Sequence, residues 1–141
     1  MSTLSNARAS YLADQVLSAS PARLLTMLYD RLLLDLARAQ QAQQREDWTG
    51  ASSHLVHAQR IVTELMTTLD LDTWEGARNL HAIYSYALTR LVEANVDRDA
   101  TITASLVELL EPLRQAWHEA AQSTTAAPAA AAVTGGALAV G

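Results

Sequence analysis

The chain has 141 residues, of which 50% are hydrophobic, and its 10 basic and 15 acidic residues give a formal net charge of −5. This length suits a single domain built around one modest core. Every basic residue is Arg, and the absence of Lys and Cys excludes lysine Schiff-base chemistry, disulfides and cysteine metal ligands; because the arginines are scattered along the sequence, we also expect no nucleic-acid partner.

The first 19 residues are interpreted as a short N-terminal arm. Residues 1–14 lack a basic segment followed by an apolar one, so no secretory signal is predicted and we expect a cytoplasmic protein. Tyr11, Leu12, Val16 and Leu17 form a small apolar patch. We hypothesise that this patch folds back over part of the helix that follows; the alternative is a loosely packed terminus.

A first helix is predicted over residues 21–44. Ser20 can cap the first free amides, and the fixed φ of Pro21 suits the first helical position. One apolar stripe at helical spacing consists of Leu25, Leu28, Leu32 and Leu36, and further apolar residues continue around the cylinder at Leu24, Met27 and Leu34. Two interpretations fit this surplus: a helix buried centrally in its own domain, or a groove that receives another chain.

Three more helices follow, each with apolar residues at alternating steps of three and four. Asp47 is the predicted cap of the second helix, and either Asp72 or Thr73 is the predicted cap of the third. Asn95 is expected to end the third helix in a left-handed conformation, and Pro112 is expected to kink the fourth. The predicted buried seams are Ala51, Leu55, Ala58, Val62, Leu65 and Leu69; Ala77, Leu80, Tyr84, Ala87, Leu91 and Ala94; and Ile102, Leu106, Leu109, Leu113 and Ala116.

Connections this short force successive helices to run antiparallel. The predicted fold is therefore all-α, an up-down-up-down four-helix bundle over residues 20–122. Residues 123–141 are mostly Ala, Gly and Thr, and we predict that they form a disordered, Ala-rich tail. The tail is too broken to span a bilayer, so no membrane insertion is expected.

The sequence offers little catalytic or metal-binding chemistry. None of the four His residues has Glu three positions before it, which removes the Glu-x-x-His pairs of di-iron bundles. His54 and His57 lie one turn apart with no third ligand arranged beside them. Asp30 and Asp35 are expected to be solvated or capping carboxylates. We therefore predict no enzyme, no cofactor and no metal site.

Several blocks of the sequence, taken in order, resemble one known family. Tyr11, Val16, Leu24 and the segments 18–21 and 27–30 resemble the amino-terminal signature of the flagellar export chaperone FliS. The family's third-helix signature is similar to residues 79–80, 84, 86, 90–91 and 93–95, and the end of its fourth helix to residues 113–114 and 116–117. The resemblance covers residues 11–119. Arg31 stands where the family usually has Gly, so the surface around Tyr29 and Asp30 is expected to differ.

The resemblance implies a cytoplasmic export chaperone. Such a protein would bind the carboxy-terminal segment of flagellin, prevent its premature polymerisation, and deliver it to the gate of the flagellar type III export apparatus. Together with the surplus apolar surface, the resemblance indicates these partner-binding residues: Tyr11, Val16, Leu24, Met27, Leu28, Tyr29, Leu34, Asn79, Tyr86 and Arg90. The alternative is a generic dimerising helical adaptor that does not bind flagellin, and a homodimer of the free chain fits either interpretation.

Overall fold

The computed structural model describes residues 20–72 and 74–126, and within them it contains four helices. Helix α1 is Pro21–Gln44, α2 is Trp48–Thr68, α3 is Glu75–Val96 and α4 is Ala100–Ala126. The predicted N-terminal arm, with Tyr11 and Val16, lies outside the described residues, as does the tail from residue 127 onwards. Helix α4 continues through Pro112 and ends four residues beyond the predicted boundary at residue 122.

Two of the predicted helix starts are confirmed and one is wrong. Ser20 accepts a hydrogen bond from the backbone N–H of Arg23 at 3.2 Å, and Asp47 accepts one from the N–H of Gly50 at 3.0 Å. Helix α3 instead begins after Trp74, whose side chain makes no capping hydrogen bond. Asp72 is a polar residue typical of a helix cap, but it lies in the turn before the helix rather than at its start.

The helices form the predicted antiparallel bundle. Helix α1 packs against α2 and α4, and α3 packs against the same two neighbours, so α1 and α3 occupy diagonal corners. The connections at residues 45–47, 69–74 and 97–99 are too short for any arrangement but an up-down-up-down one. The all-α four-helix bundle predicted from the sequence is confirmed.

The two turns at one end of the bundle have the same geometry. Glu46 and Arg98 both adopt left-handed backbone conformations, with φ of 58° and 52°. After each of them the N–H of an aspartate bonds back to an alanine carbonyl, from Asp47 to Ala42 at 2.8 Å and from Asp99 to Ala94 at 3.0 Å. These are paired helix-ending and helix-starting motifs, in which the N–H of the second residue past the C-cap bonds back to the last turn of the helix. Asn95 itself stays helical, so the prediction that it adopts the left-handed conformation is wrong.

Apolar seams from all four helices meet in one core. Leu55, Leu65, Leu91 and Leu106 are at most 1% exposed. The fourth seam departs from the prediction, because Leu110 is fully buried while Leu109 packs only partly against the core. Either residue satisfies helical spacing after Leu106, so the sequence alone does not decide between them.

A buried polar contact joins three helices near the two turns. The side-chain amide oxygen of Gln43 accepts a hydrogen bond from the Thr103 hydroxyl at 2.8 Å, and its amide nitrogen donates to the carbonyl of Ala94 at 3.2 Å. Both polar side chains are buried, and each has a hydrogen-bond partner within the protein. Gln43 therefore links α1 to both α3 and α4, a role that its position in a run of glutamines did not indicate.

Candidate partner-binding surface

The surplus apolar residues of α1 lie away from its buried seam. Met27 and Leu34 are seven residues apart and therefore share one side of the helix. Leu34 is 41% exposed, and Leu24 and Met27 are partly exposed. We call this surface the α1 strip and define it by Leu24, Met27, Arg31, Leu34 and Arg38. Leu28, another of the predicted partner-binding residues, packs partly against the core instead.

Arg31 lies in the middle of the α1 strip and is hydrogen-bonded to a buried residue of the same helix. Its Nε donates to Oδ1 of Asp35 at 3.1 Å, one helical turn further on, while 47% of the arginine side chain remains exposed. The other oxygen of Asp35 is bonded to Nδ1 of His57 on α2. Asp35 is completely buried, so the prediction that it is a solvated or capping carboxylate is wrong. Its spacing of seven residues from both Leu28 and Ala42 was the available signal that it faces a neighbouring helix.

A second aspartate attaches α1 to α4. Oδ1 of Asp30 lies 2.6 Å from Nε2 of His118 and 3.3 Å from a terminal nitrogen of Arg114. Asp35 and Asp30 thus connect α1 to its two neighbours through one imidazole each. Both attachments lie beside the α1 strip, which fixes the side of the helix that the strip presents.

Tyr29 is a core residue. It is 0% exposed, and its hydroxyl lies 2.5 Å from that of Tyr84, while its ring centroid lies 6.4 Å from that of Trp117. Burial raises the pKa of Tyr29, and burial also raises that of Tyr84, with the neighbouring Tyr29 adding to the effect. Tyr29 is among the predicted partner contacts, but its buried side chain presents no surface to a partner and instead joins α1 to α3.

The three candidates on α3 remain accessible. Tyr86 is 54% exposed, Asn79 is exposed, and Arg90 is half-buried with a terminal nitrogen 2.7 Å from Glu93. Because α1 and α3 are diagonal, these residues and the α1 strip lie on different sides of the bundle. The structure therefore does not gather all the predicted contact residues into one groove.

A row of cations along α1 is not among the features predicted from the sequence. Arg23, Arg31, Arg38 and Arg45 are all exposed and follow one another at intervals of seven or eight residues, which places them on one side of the helix. The description of the arginines as scattered is therefore wrong for this helix. The interval was visible in the sequence, but it becomes informative only once the buried side of α1 is known.

One open cleft lies between the turns at Glu46 and Arg98, at the carboxy-terminal end of α1. It has a volume of about 590 Å³, and its lining includes Trp48, Ser52, Asn95 and Arg98. The guanidinium of Arg98 lies 5.3 Å from the ring centroid of Trp48, so the cation stacks on the indole and ties the two turns together.

No group of three or more His, Asp or Glu side chains that could hold a metal ion occurs in residues 20–72 and 74–126. Over the same ranges, no helix is long and apolar enough to cross a membrane.

Fold and surface together define a class, an all-α antiparallel bundle with an exposed apolar and cationic strip on its first helix. The family model described as flagellar protein FliS matches residues 4–124. The flagellar secretion chaperone FliS of Bacillus subtilis is 32% identical over 120 residues, covering 85% of this chain and 90% of the relative. The Escherichia coli protein of that name is 35% identical over 106 residues, 74% and 78% of the two chains. FliSB of Pseudomonas aeruginosa is 34% identical over 104 residues, 73% and 82% of the two chains.

The chain belongs to the FliS family of flagellar secretion chaperones. Membership supports an export-chaperone role and implies a secreted protein as the partner. It also implies a non-enzymatic function.

Proposed function

We propose that this protein binds the carboxy-terminal segment of flagellin in the cytoplasm, keeps it from polymerising prematurely, and delivers it to the gate of the flagellar type III export apparatus. The observation that carries the proposal is that Leu34 is exposed and Met27 partly exposed on one side of α1 in a chain of the FliS family. Exposed apolar residues at helical spacing suit an amphipathic helix laid against them.

The energetics favour an extended contact. A segment that is unfolded before binding must be ordered as it binds, at a cost of roughly 2–5 kcal/mol. Binding through the α1 strip alone would have to offset that cost with few apolar side chains. Tyr86 and Asn79 on α3 extend the accessible surface, so the proposed contact includes both helices.

The direct test is calorimetry with the last segment of the flagellin encoded in the same genome. We expect one carboxy-terminal segment to bind per chain. We also expect flagellin mixed with this protein to remain soluble under conditions in which flagellin alone polymerises. An amino-terminal flagellin segment of equal length is the matched control and should not bind. If neither segment binds the chain, or if both bind it equally well, the proposal is contradicted.

The same samples test the alternative of a dimerising adaptor. Light scattering on the free chain gives its mass, and an adaptor would self-associate tightly while ignoring flagellin. Delivery is tested separately, by comparing how free chain and flagellin-bound chain bind the soluble domain of the export gate. Cell fractionation tests the proposed cytoplasmic location.

A further inference from the structure

The α1 strip combines apolar and positive groups in an acidic protein. The whole chain carries a formal charge of −5, yet α1 and its final cap carry four exposed arginines. The two acidic residues of α1 are already paired with neighbouring helices, since Asp35 is buried against α2 and Asp30, which borders the strip, bonds to His118 and Arg114 of α4. Electrostatic complementarity therefore favours a partner that brings negative charge to this side of the bundle.

Arg31 is the arginine whose orientation is fixed. Its Nε is bonded to the buried carboxylate of Asp35, and the second oxygen of that carboxylate is bonded to His57. The two terminal nitrogens of Arg31 have no hydrogen-bond or ion-pair partner among the described residues. A guanidinium held at Nε presents its remaining N–H groups in a fixed fork, which matches the geometry of a carboxylate.

Apolar side chains flank this fork along the helix. Met27 precedes Arg31 by four residues and Leu34 follows it by three, so both are its neighbours on the helix surface. A ligand that covers all three must place a carboxylate between apolar groups. This pattern is found on an amphipathic helix with an Asp or Glu within its apolar face.

We propose that Arg31 determines specificity on the α1 strip by binding an acidic residue of an amphipathic partner segment, whose apolar side chains contact Met27 and Leu34. The inference rests on the proposed function, in which the segment is the carboxy terminus of flagellin. It adds the chemistry that the strip selects, an acidic residue flanked by apolar ones.

The test measures binding of the flagellin carboxy-terminal segment to the full chain and to Arg31→Glu. We expect Arg31→Glu to weaken binding at least tenfold, and the affinity of the unaltered chain to fall as salt is raised. Arg60→Glu, which changes the net charge equally at an exposed position on α2, should bind like the unaltered chain. Arg31→Gln removes the charge without placing a second carboxylate beside Asp35, and it should bind the segment several-fold more weakly than the unaltered chain. This variant keeps the test valid if Arg31→Glu folds poorly.

Charge exchange identifies the partner residue. Segments in which each Asp or Glu is replaced singly by Arg should include one that binds the unaltered chain weakly and Arg31→Glu strongly. If the unaltered chain binds flagellin and both Arg31 variants bind equally well, the inference is overturned while the proposed function stands. If the unaltered chain does not bind the segment at all, the proposed function fails and the inference fails with it.

Discussion

The hydroxyl oxygens of Tyr29 and Tyr84 lie 2.5 Å apart in the centre of the bundle and join two helices that occupy diagonal corners. Both side chains are almost completely excluded from solvent, at 0% and 1% exposure. Each hydroxyl is the other's polar partner, so removing one would leave the other buried without a hydrogen bond.

The tyrosine pair predicts a loss of stability at alkaline pH. Burial raises the pKa of both phenols above the ordinary value of 10.0, so the unfolded state releases these protons first as the pH rises. The free energy of unfolding should be insensitive to this pair below pH 10 and should fall above it, by up to about 1.4 kcal/mol per pH unit for each tyrosine. Urea unfolding at a series of pH values measures this slope.

The double variant Tyr29→Phe/Tyr84→Phe is the test of that assignment. It should show a flatter decline above pH 10 than the unaltered chain, whereas Tyr86→Phe, at an exposed position, should leave the decline unchanged. The chain contains no Lys or Cys, which simplifies the comparison in this pH range. Equal slopes for the double variant and the unaltered chain would show that other groups cause the loss.

His57 should stabilise the bundle more than its neighbour His54. His57 is bonded to the buried carboxylate of Asp35, and without the imidazole one oxygen of that carboxylate would lose its partner. Losing a hydrogen bond to a buried charged group costs about 1–3 kcal/mol. Since the His57 side chain is 43% exposed and water can replace part of the bond, we expect the lower end of that range.

The comparison is thermal unfolding of His57→Ala against His54→Ala. Both variants lose one half-buried imidazole from α2, but only His57 is bonded to Asp35. We expect a clear decrease in Tm for His57→Ala and little change for His54→Ala. Equal Tm values would mean that Arg31 alone satisfies Asp35.

Glu46→Gly should stabilise the protein. Glu46 has a φ of 58°, a conformation that costs a side-chain-bearing residue about 1–2 kcal/mol and costs glycine little. Glycine gains freedom in the unfolded chain worth roughly 0.4–1 kcal/mol, so the net stabilisation should be on the order of 0.5–1 kcal/mol. Chemical denaturation of both proteins gives the difference.

Its control is the residue immediately before it. Arg45 has a φ of −91°, which any residue adopts, so Arg45→Gly should bring no gain. Arg98→Gly should gain less than Glu46→Gly, because it also removes the stacking of the guanidinium on Trp48. A destabilised Glu46→Gly would show that the glutamate side chain has a contact worth more than the backbone strain.

Met27→Glu should weaken flagellin binding without unfolding the bundle. Under the proposed function, the substitution places a carboxylate where the bound segment would present hydrocarbon, and we expect at least a tenfold loss, or about 1.4 kcal/mol. Met27 is only partly buried, so the fold should survive. Calorimetry with the flagellin segment measures the loss, and Val56→Glu on α2 is the matched exposed control. Unchanged binding by folded Met27→Glu would exclude this side of α1 from the interface.

The sequence predicted those elements that local chemistry specifies. Ser20 and Asp47 bond to amides three residues away, so their roles follow from adjacent positions alone. The seams of α2 and α3 were predictable because apolar spacing directly reports the buried side of a helix. The start of α3 was not, since Trp74 makes no capping bond that a sequence pattern could reveal.

The features that depend on neighbouring helices were not predictable. Whether Tyr29 is a surface contact or a core residue depends on Tyr84, which lies 55 residues further along the chain. The burial of Asp35 likewise depends on His57 of α2. The α1 strip was partly predicted, because Met27 and Leu34 exceed what one buried face requires, but its charge depends on which side of α1 faces solvent.

The turns at Glu46 and Arg98 have matching backbone conformations and lie 52 residues apart in the sequence. The same offset carries Met27 to Asn79, Leu34 to Tyr86 and Arg38 to Arg90. Candidate contacts on α3 thus fall at the same sequence offset from residues of the α1 strip as one turn does from the other. A single straight helix that binds along α1 cannot also reach α3 across the bundle, and one that binds along α3 cannot reach α1. A ligand that binds both the α1 strip and the candidate contacts on α3 has to bend around the molecule. Its two halves would contact surfaces of different chemistry.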